Sequence, residues 1–191
     1  MTTLFRFVLP AFLVGLVLTG STFAQKTDTA PKKPDVIFVP TPQAVVDKML
    51  ELAEVDDKDV LYDLGCGNGI IVVSAAKKGA NATGFDVDPQ RIKESQDNIR
   101  KNQVGDRAKV EQKDIFTLDL SKANVVTLYL LPSLNVKLIP QLEKLKPGSK
   151  IVSHDFDMKG VKPKQVVKVK GPVREHTVYL WETPLEKENA N

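Results

Sequence analysis

The segment that most constrains this chain runs Asp59-Val60-Leu61-Tyr62-Asp63-Leu64-Gly65-Cys66-Gly67-Asn68-Gly69. A short apolar run ends in an acid and then in Gly-x-Gly-x-Gly, and Ile70 to Lys78 continues with a helical pattern closed by Gly79. This succession reads as strand, glycine-rich turn and helix. The glycines let the backbone approach a ligand and leave the amides of a helix N-terminus pointing at it. A P-loop needs Gly-Lys-Ser/Thr, which is absent, and a dinucleotide fingerprint needs a third glycine where Ile70 stands. An acid at Asp63 repels a pyrophosphate and favours a cationic or amine-bearing ligand.

The same unit recurs along the chain. Ahead of it, apolar residues from Gln43 to Ala53 keep helical spacing, with Thr41 and Pro42 expected as N-cap and first helical position. Behind it, Ala82 to Phe85 reads as a second strand ending at Asp86, and Pro89 to Asn102 as a helix with Ile92 and Ile99 on one face. Lys109 to Gln112, Asn124 to Leu130 and Lys150 to Ser153 read as three further strands, with a helix over Val136 to Leu145. Strands alternating with helices predict right-handed crossovers and a parallel sheet covered on both faces. Gln165 to Lys170 and Glu175 to Glu182 are joined only through Gly171-Pro172, so they predict an antiparallel hairpin at the sheet edge. The expected architecture is therefore α/β, a seven-stranded sheet of five parallel strands plus a C-terminal antiparallel hairpin, with helices on both faces.

Charge and cysteine content narrow the function classes. Lys+Arg 27 against Asp+Glu 24 gives a net charge of +3 over 191 residues, with acids spread among the bases, which argues against a nucleic-acid surface. A single cysteine excludes an intramolecular disulfide and a Cys-based zinc site, and two histidines argue against a His-rich metal site. No metal is expected. Phe7 to Leu18 is too short an apolar block to span a bilayer; it follows Arg6 and precedes Thr22-Phe23-Ala24, as in a signal peptide cleaved after Ala24. Residues 1–24 are thus read as a signal peptide, 25–35 as a polar linker, 36–185 as the domain and 186–191 as a polar tail. The expected location is exported or periplasmic, the alternatives being the cytoplasm or an uncleaved inner-membrane anchor with the domain inside; only the last implies membrane contact.

Two more acids define the ligand. Asp86 ends the second strand, where a carboxylate accepts hydrogen bonds from a ribose diol, and Asp114 ends the third. Val87 and Ile115 beside them supply apolar faces for a flat base. An amine, a ribose and a base without a phosphate describe S-adenosylmethionine. From about Val39 to Trp181 the chain resembles the class I S-adenosylmethionine-dependent methyltransferases, above all in the string Asp63-Leu64-Gly65-Cys66-Gly67-Asn68-Gly69. That resemblance implies a Rossmann-like fold and a cofactor site in which Asp63 and the turn Gly65, Cys66, Gly67, Asn68 and Gly69 hold the methionine end. It further implies that Asp86 holds the ribose hydroxyls and Asp114 the adenine amino group. The segments Phe38-Val39-Pro40-Thr41-Pro42, Tyr129-Leu130-Leu131-Pro132, Leu145-Lys146-Pro147-Gly148 and Ser153-His154-Asp155-Phe156-Asp157 are similar to those of small bacterial relatives of the mitochondrial lysine methyltransferases acting on the ATP synthase c subunit. The Asn/Asp-Pro-Pro-Tyr motif that holds a planar nitrogen in amide and base N-methyltransferases is absent, and Tyr129-Leu130-Leu131-Pro132 stands in its place.

Displacement at a sulfonium needs positioning and exclusion of water rather than a nucleophile, so Cys66 is read as a small filler. A lysine acceptor must first lose its proton, and Tyr129, His154 and Asp155 are the candidates for assisting that or for lining the acceptor channel. The acceptor is expected to be a protein lysine or a small molecule. A different class, a nucleoside-binding module without transfer, stays open because an exported enzyme would need a supply of its cofactor. The lysines at 159, 162, 164, 168 and 170 read as a solvated face.

Overall fold

The computed structural model describes Thr2 and residues 38–188. The expected signal peptide and linker, Thr2 apart, lie outside the described residues. Twelve elements follow in order: α1 (Gln43–Leu52), β1 (Val60–Leu64), α2 (Ile70–Lys77), β2 (Asn81–Asp86), α3 (Pro89–Lys101), β3 (Ala108–Gln112), a short 3₁₀ turn (Ile115–Thr117), β4 (Val125–Leu128), α4 (Pro132–Leu142), β5 (Lys150–His154), β6 (Gln165–Lys170) and β7 (Glu175–Glu182). Among the described residues no helix is long and apolar enough to cross a membrane.

The strands form one sheet in the order β3-β2-β1-β4-β5-β7-β6. β1 to β5 are mutually parallel, β7 runs antiparallel to β5, and β6 pairs antiparallel to β7 at the edge. Successive side chains of a strand face opposite sides, and the buried residues divide accordingly. Val125, Val152, Val178 and Leu180 pack with Val46, Met49 and Leu50 of α1 and Val72 of α2 on one side. Val126, Leu128, Ile151 and Trp181 pack with Leu138 and Leu142 of α4 on the other. Because β1 lies between β2 and β4, the chain reverses its direction of travel across the sheet there, and a crevice opens beyond the carboxyl ends of these strands.

Three boundaries differ from expectation for identifiable reasons. The fourth strand stops at Leu128 and α4 begins at Pro132, because a proline at the first helical position needs no amide partner; the helix then runs through Pro140 and ends at Leu142, leaving Leu145 buried in a turn. Thr41 does not cap α1. The N-cap is Pro42, without a side-chain hydrogen bond, and the Thr41 hydroxyl lies 3.2 Å from Nδ1 of His154. Residues 186–188, expected as tail, belong to the folded unit: Lys162 N donates to the Glu186 carbonyl, Lys187 bridges to Val161, and Glu188 N donates to the Gly160 carbonyl. Lys162, Lys164 and Lys168 form exposed ion pairs with Glu186, Glu182 and Glu175.

Candidate active site

The glycine turn is gripped from behind by α3. Ser95 Oγ donates to the Gly67 carbonyl at 2.7 Å, and Asn98 Nδ2 to the Asn68 carbonyl at 3.2 Å. Gly67 has φ +53°, and a Cβ there would collide with the ring of Phe38. Two needs therefore coincide at this residue, a left-handed backbone and room for an aromatic ring. Gly84 of β2 is required for another reason: a Cβ there would lie 2.7 Å from Cβ of Cys66 and 2.9 Å from Val72, so its absence lets the turn and α2 settle onto the sheet.

Asp63, near the end of β1, is 2 % exposed and accepts a hydrogen bond from Thr127 Oγ1 of β4 at 2.8 Å. Burial pushes its carboxyl up to about 7; the Thr127 bond opposes this and the nearby Asp86 charge adds to it. Asp86 is fixed by backbone amides, Oδ2 accepting from Gly67 N and Oδ1 from Asp88 N, each at 3.0 Å. Asp114 accepts from Phe116 N at 3.1 Å and so caps the short 3₁₀ turn. Burial, then the charges of Asp63 and Asp86, push the Cys66 thiol well above its usual range, which keeps it protonated and poorly nucleophilic.

These residues converge on a cavity of about 530 Å³ in the crevice. Of the residues read from the sequence, Asp63, Gly65, Cys66, Asn68, Asp86, Val87, Asp114, Ile115 and Tyr129 line it. Gly67 and Gly69 stand back, the first beneath Phe38 and the second packed on Ser95 as N-cap of α2. His154 and Asp155 do not line the cavity either. They sit behind Tyr129, whose ring lies on that of His154 with centroids 3.8 Å apart. Sequence reading missed Phe38, Arg91 and Phe156, which also form the wall. Arg91 lies over the Phe38 ring at 4.8 Å and is paired with Asp88 and Glu94. Phe156 stacks against Tyr129 at 6.0 Å and is anchored where Asn135 Nδ2 donates to its carbonyl.

Behind Tyr129, both histidines of the chain meet one acid. His154 Nε2 and His176 Nδ1 are 2.8 Å apart, and each lies 3.3 Å from Asp155 Oδ2. The ring centroids are 4.9 Å apart, so the imidazoles meet nearly head-on, as a direct N–H···N bond requires. A shared tetrahedral ion ~2.0–2.1 Å from each nitrogen would hold the two nitrogens ~3.3 Å apart, wider than the 2.8 Å between them. Burial lowers His154 to about 4, only partly offset by Asp155, so the ring is neutral at pH 7. Burial alone would raise Asp155, but Arg174, the Thr177 amide and the histidines hold it well below the usual carboxylate range. Its backbone sits at φ +60°, a left-handed conformation stabilised by Asp155 N donating to the Thr177 carbonyl and Thr177 N to Oδ1.

The donor set suits an amine, a diol and a flat base. Acids stand at the ends of three neighbouring strands with apolar walls between them, and among the described residues Arg91 is the only Lys or Arg side chain in the lining. A family model for the ANTKMT methyltransferase domain matches residues 63–165, just over half of the chain. The chain belongs to this methyltransferase family. A protein-lysine N-methyltransferase of Saccharolobus islandicus is 47% identical over 151 residues, covering 78% of this chain and 94% of the relative. A solved RNA methyltransferase from Salinibacter ruber, in complex with S-adenosyl-L-homocysteine, is 48% identical, has a TM-score of 0.72, and covers 80% of this chain and 97% of that one. A ribosomal protein L11 methyltransferase of Desulfitobacterium hafniense is 36% identical over 85 residues, and the match spans only 27% of its length. The fold and these relatives make the protein a class I, S-adenosylmethionine-dependent methyltransferase.

Proposed function

We propose that this methyltransferase modifies the side-chain amine of a protein lysine, with the cofactor held across the ends of β1, β2 and β3. The observation that carries the reading is the two-ended cavity: Asp63, Asp86 and Asp114 at one end, Tyr129, Leu131 and Phe156 at the other. In this arrangement Asp63 takes the cofactor's amine, Asp86 the ribose hydroxyls, and Asp114, with Val87 and Ile115, the adenine. Gly65, Cys66 and Asn68 present the turn to the methionine end, while Gly67 and Gly69 give the turn its shape. Asp86 is already oriented by two amides, so it spends little entropy in accepting hydrogen bonds from the diol.

The bound cofactor supplies a methyl group on a positively charged sulfur that leaves as a neutral thioether, so the chain need only bind, orient and dehydrate. A lysine entering past Leu131 meets the uncharged Tyr129 and Phe156, with neutral His154 behind them and Asp155 already paired to Arg174. Desolvation there lowers the amine's pKa from ~10.4 and favours the form with a free lone pair. The Saccharolobus relative's name supports a protein lysine. A base nitrogen, as the Salinibacter protein's name would suggest, is disfavoured because the planar-nitrogen motif is replaced by Tyr129-Leu130-Leu131-Pro132 and, among the described residues, the cavity wall carries a single cation.

The test is transfer of isotopic methyl from S-adenosylmethionine into separated protein, RNA and small-molecule fractions of a cell extract, followed by hydrolysis of the labelled protein. Label recovered as methyl-lysine is expected. Label confined to RNA or small molecules refutes the lysine reading, and absence of label in every fraction favours a binding module without transfer.

A further inference from the structure

We propose that Thr41, His154 and His176 form a proton relay, in which Thr41 takes the proton of the acceptor amine and His176 holds a proton beside Asp155 while the methyl group is transferred. The inference rests on the lysine reading above and deepens it by supplying the route for the proton that the amine must lose.

Thr41 lines the cavity, and its hydroxyl is not spent on capping α1. It lies 3.2 Å from His154 Nδ1, and Tyr129 lies on the ring of that same histidine, so Thr41 stands at the acceptor end. From His154, which is fully buried, the contacts lead away from the cavity: Nε2 is 2.8 Å from His176 Nδ1. Asp155 Oδ2 lies 3.3 Å from both of these nitrogens and is paired on its far side with the half-exposed Arg174. Every element around the two rings contributes: the segment before α1 gives Thr41, the end of β4 Tyr129, the end of β5 Asp155, and the hairpin turn Arg174. Burying two imidazoles and a carboxylate is costly, and apolar side chains in the same space would join β5 to β7 at less cost. A connected polar chain that ends at the cavity wall points to use rather than to stability.

In the starting arrangement the Thr41 hydroxyl donates to His154 Nδ1, and His154 Nε2–H donates to His176 Nδ1, each ring carrying one N–H. As a proton of the ammonium moves to Thr41 Oγ1, the hydroxyl proton moves to His154 Nδ1 and the Nε2 proton of His154 to His176 Nδ1. The amine nitrogen is left with the electron pair that attacks the methyl carbon. Thr41 and His154 end uncharged, and the positive charge rests on His176, its new N–H 3.3 Å from Asp155 Oδ2. Burial holds His154 down to about 4, so it passes a proton on as it takes one and never carries the charge. The relay also removes a repulsion, because an ammonium and the cofactor's sulfonium would otherwise face each other in a water-poor cavity. Once the methylated product leaves and water enters, the three transfers run backward and Thr41 gives the proton to water, which restores the starting arrangement.

Thr41→Val keeps the shape of the side chain and breaks the relay at its first link, and Thr41→Ser keeps the hydroxyl. The readout is the initial rate of methyl-lysine formation in a dilute extract of cells lacking the enzyme, at saturating S-adenosylmethionine, where the rate follows kcat/KM for the acceptor and titration of Asp63 does not enter. Thr41→Val should be slower than wild type by about 30-fold at pH 7 but only about threefold at pH 9, because the neutral fraction of a lysine side chain rises about a hundredfold over that range. Thr41→Ser should stay within about threefold of wild type throughout, and both variants should bind S-adenosylhomocysteine within about twofold of it. His176→Gln should show the same pH-dependent loss, and combining it with Thr41→Val should cost nothing further. A Thr41→Val deficit that does not change with pH, a serine variant as slow as the valine one, or multiplying losses in the double variant overturn the proposal. Nitrogen NMR of the two imidazoles needs no acceptor: Thr41→Val should move the His154 Nδ1 resonance, and an unmoved resonance overturns the proposal by itself. Failure of the wild type to methylate protein would refute the lysine reading and the relay together, whereas protein methylation with a pH-independent deficit refutes the relay alone.

Discussion

If Asp63 holds the cofactor's amine as proposed, it makes cofactor affinity depend on pH in a way that can be worked out beforehand. Its carboxyl, pushed up to about 7 by burial, is close to half ionised at neutral pH. If the ionised form binds the cofactor's ammonium, apparent affinity scales with the ionised fraction, which falls roughly eightfold between pH 7.5 and pH 6. The ligand's own amine, with a pKa of ~7.7–8.0, becomes more fully protonated over the same range and offsets this by less than a factor of two. The net expectation is a loss of about fivefold from pH 7.5 to pH 6, with roughly half a proton released by the protein on binding at pH 7. Calorimetric titration with S-adenosylhomocysteine, in buffers of different ionisation enthalpy, measures both quantities. Asp63→Asn keeps the shape and an acceptor for Thr127 but removes the charge. It should bind about 10- to 100-fold more weakly at pH 7.5, in line with ~1.5–3 kcal/mol for a charged hydrogen bond, and should lose the protein's proton release. The stability effect has the opposite sign. The folded-state pKa lies above the unfolded value of 3.8, so the acid's contribution is present below pH 3.8 and is lost as pH rises through about 7. Asp63→Asn should therefore raise the ligand-free melting temperature at pH 8. Flat affinity between pH 7.5 and 6, together with an Asn variant that binds like wild type, would remove Asp63 from the cofactor site.

Other perturbations give distinct outcomes. Gly67→Val should abolish cofactor binding with a folded circular dichroism spectrum, because φ +53° disfavours a β-branched residue and Phe38 occupies the space; normal binding would make the turn purely structural. Asp86→Ala should weaken S-adenosylhomocysteine binding by at least tenfold, since the diol loses its acceptor and Gly67 N its partner; an unchanged calorimetric titration would contradict this. His154 should stay neutral by NMR down to about pH 5, its folded pKa of about 4 lying below the 6.5 usual for an imidazole. N-terminal sequencing of protein made from the full reading frame should find Gln25 first if the segment before it is a cleaved leader, and an intact Met1 or Thr2 otherwise.

Local patterns carried most of the sheet. β6 and β7 fall where the β-rich segments on either side of Gly171-Pro172 placed them, and Asp63, Asp86 and Asp114 follow their strands as expected. The misplacement of α4 came from reading its start at Val136, four residues after Pro132, the residue that begins it. Thr41 could not be assigned from its neighbours, because its partner His154 is 113 residues away. The grouping of His154, Asp155, Arg174 and His176 depends on β7 pairing with β5 so that His154 faces Val178, and that register is a tertiary fact no local window contains. Phe38 and Phe156 lay inside strings that marked the family, but their places in the cavity wall depend on distant partners, Gly67 and Arg91 for the first and Asn135 of α4 for the second.

The placement of β7 between β5 and β6 also divides the enzyme along its own length. The three acids at the cofactor end come from residues 63–114, whereas the opposite wall and its supports come from Tyr129 onward and are complete only when the final hairpin docks. During synthesis the cofactor half leaves the ribosome first, and the half that meets the acceptor is finished last. A substitution in the hairpin can therefore alter the supports behind Tyr129 without touching any of the three acids.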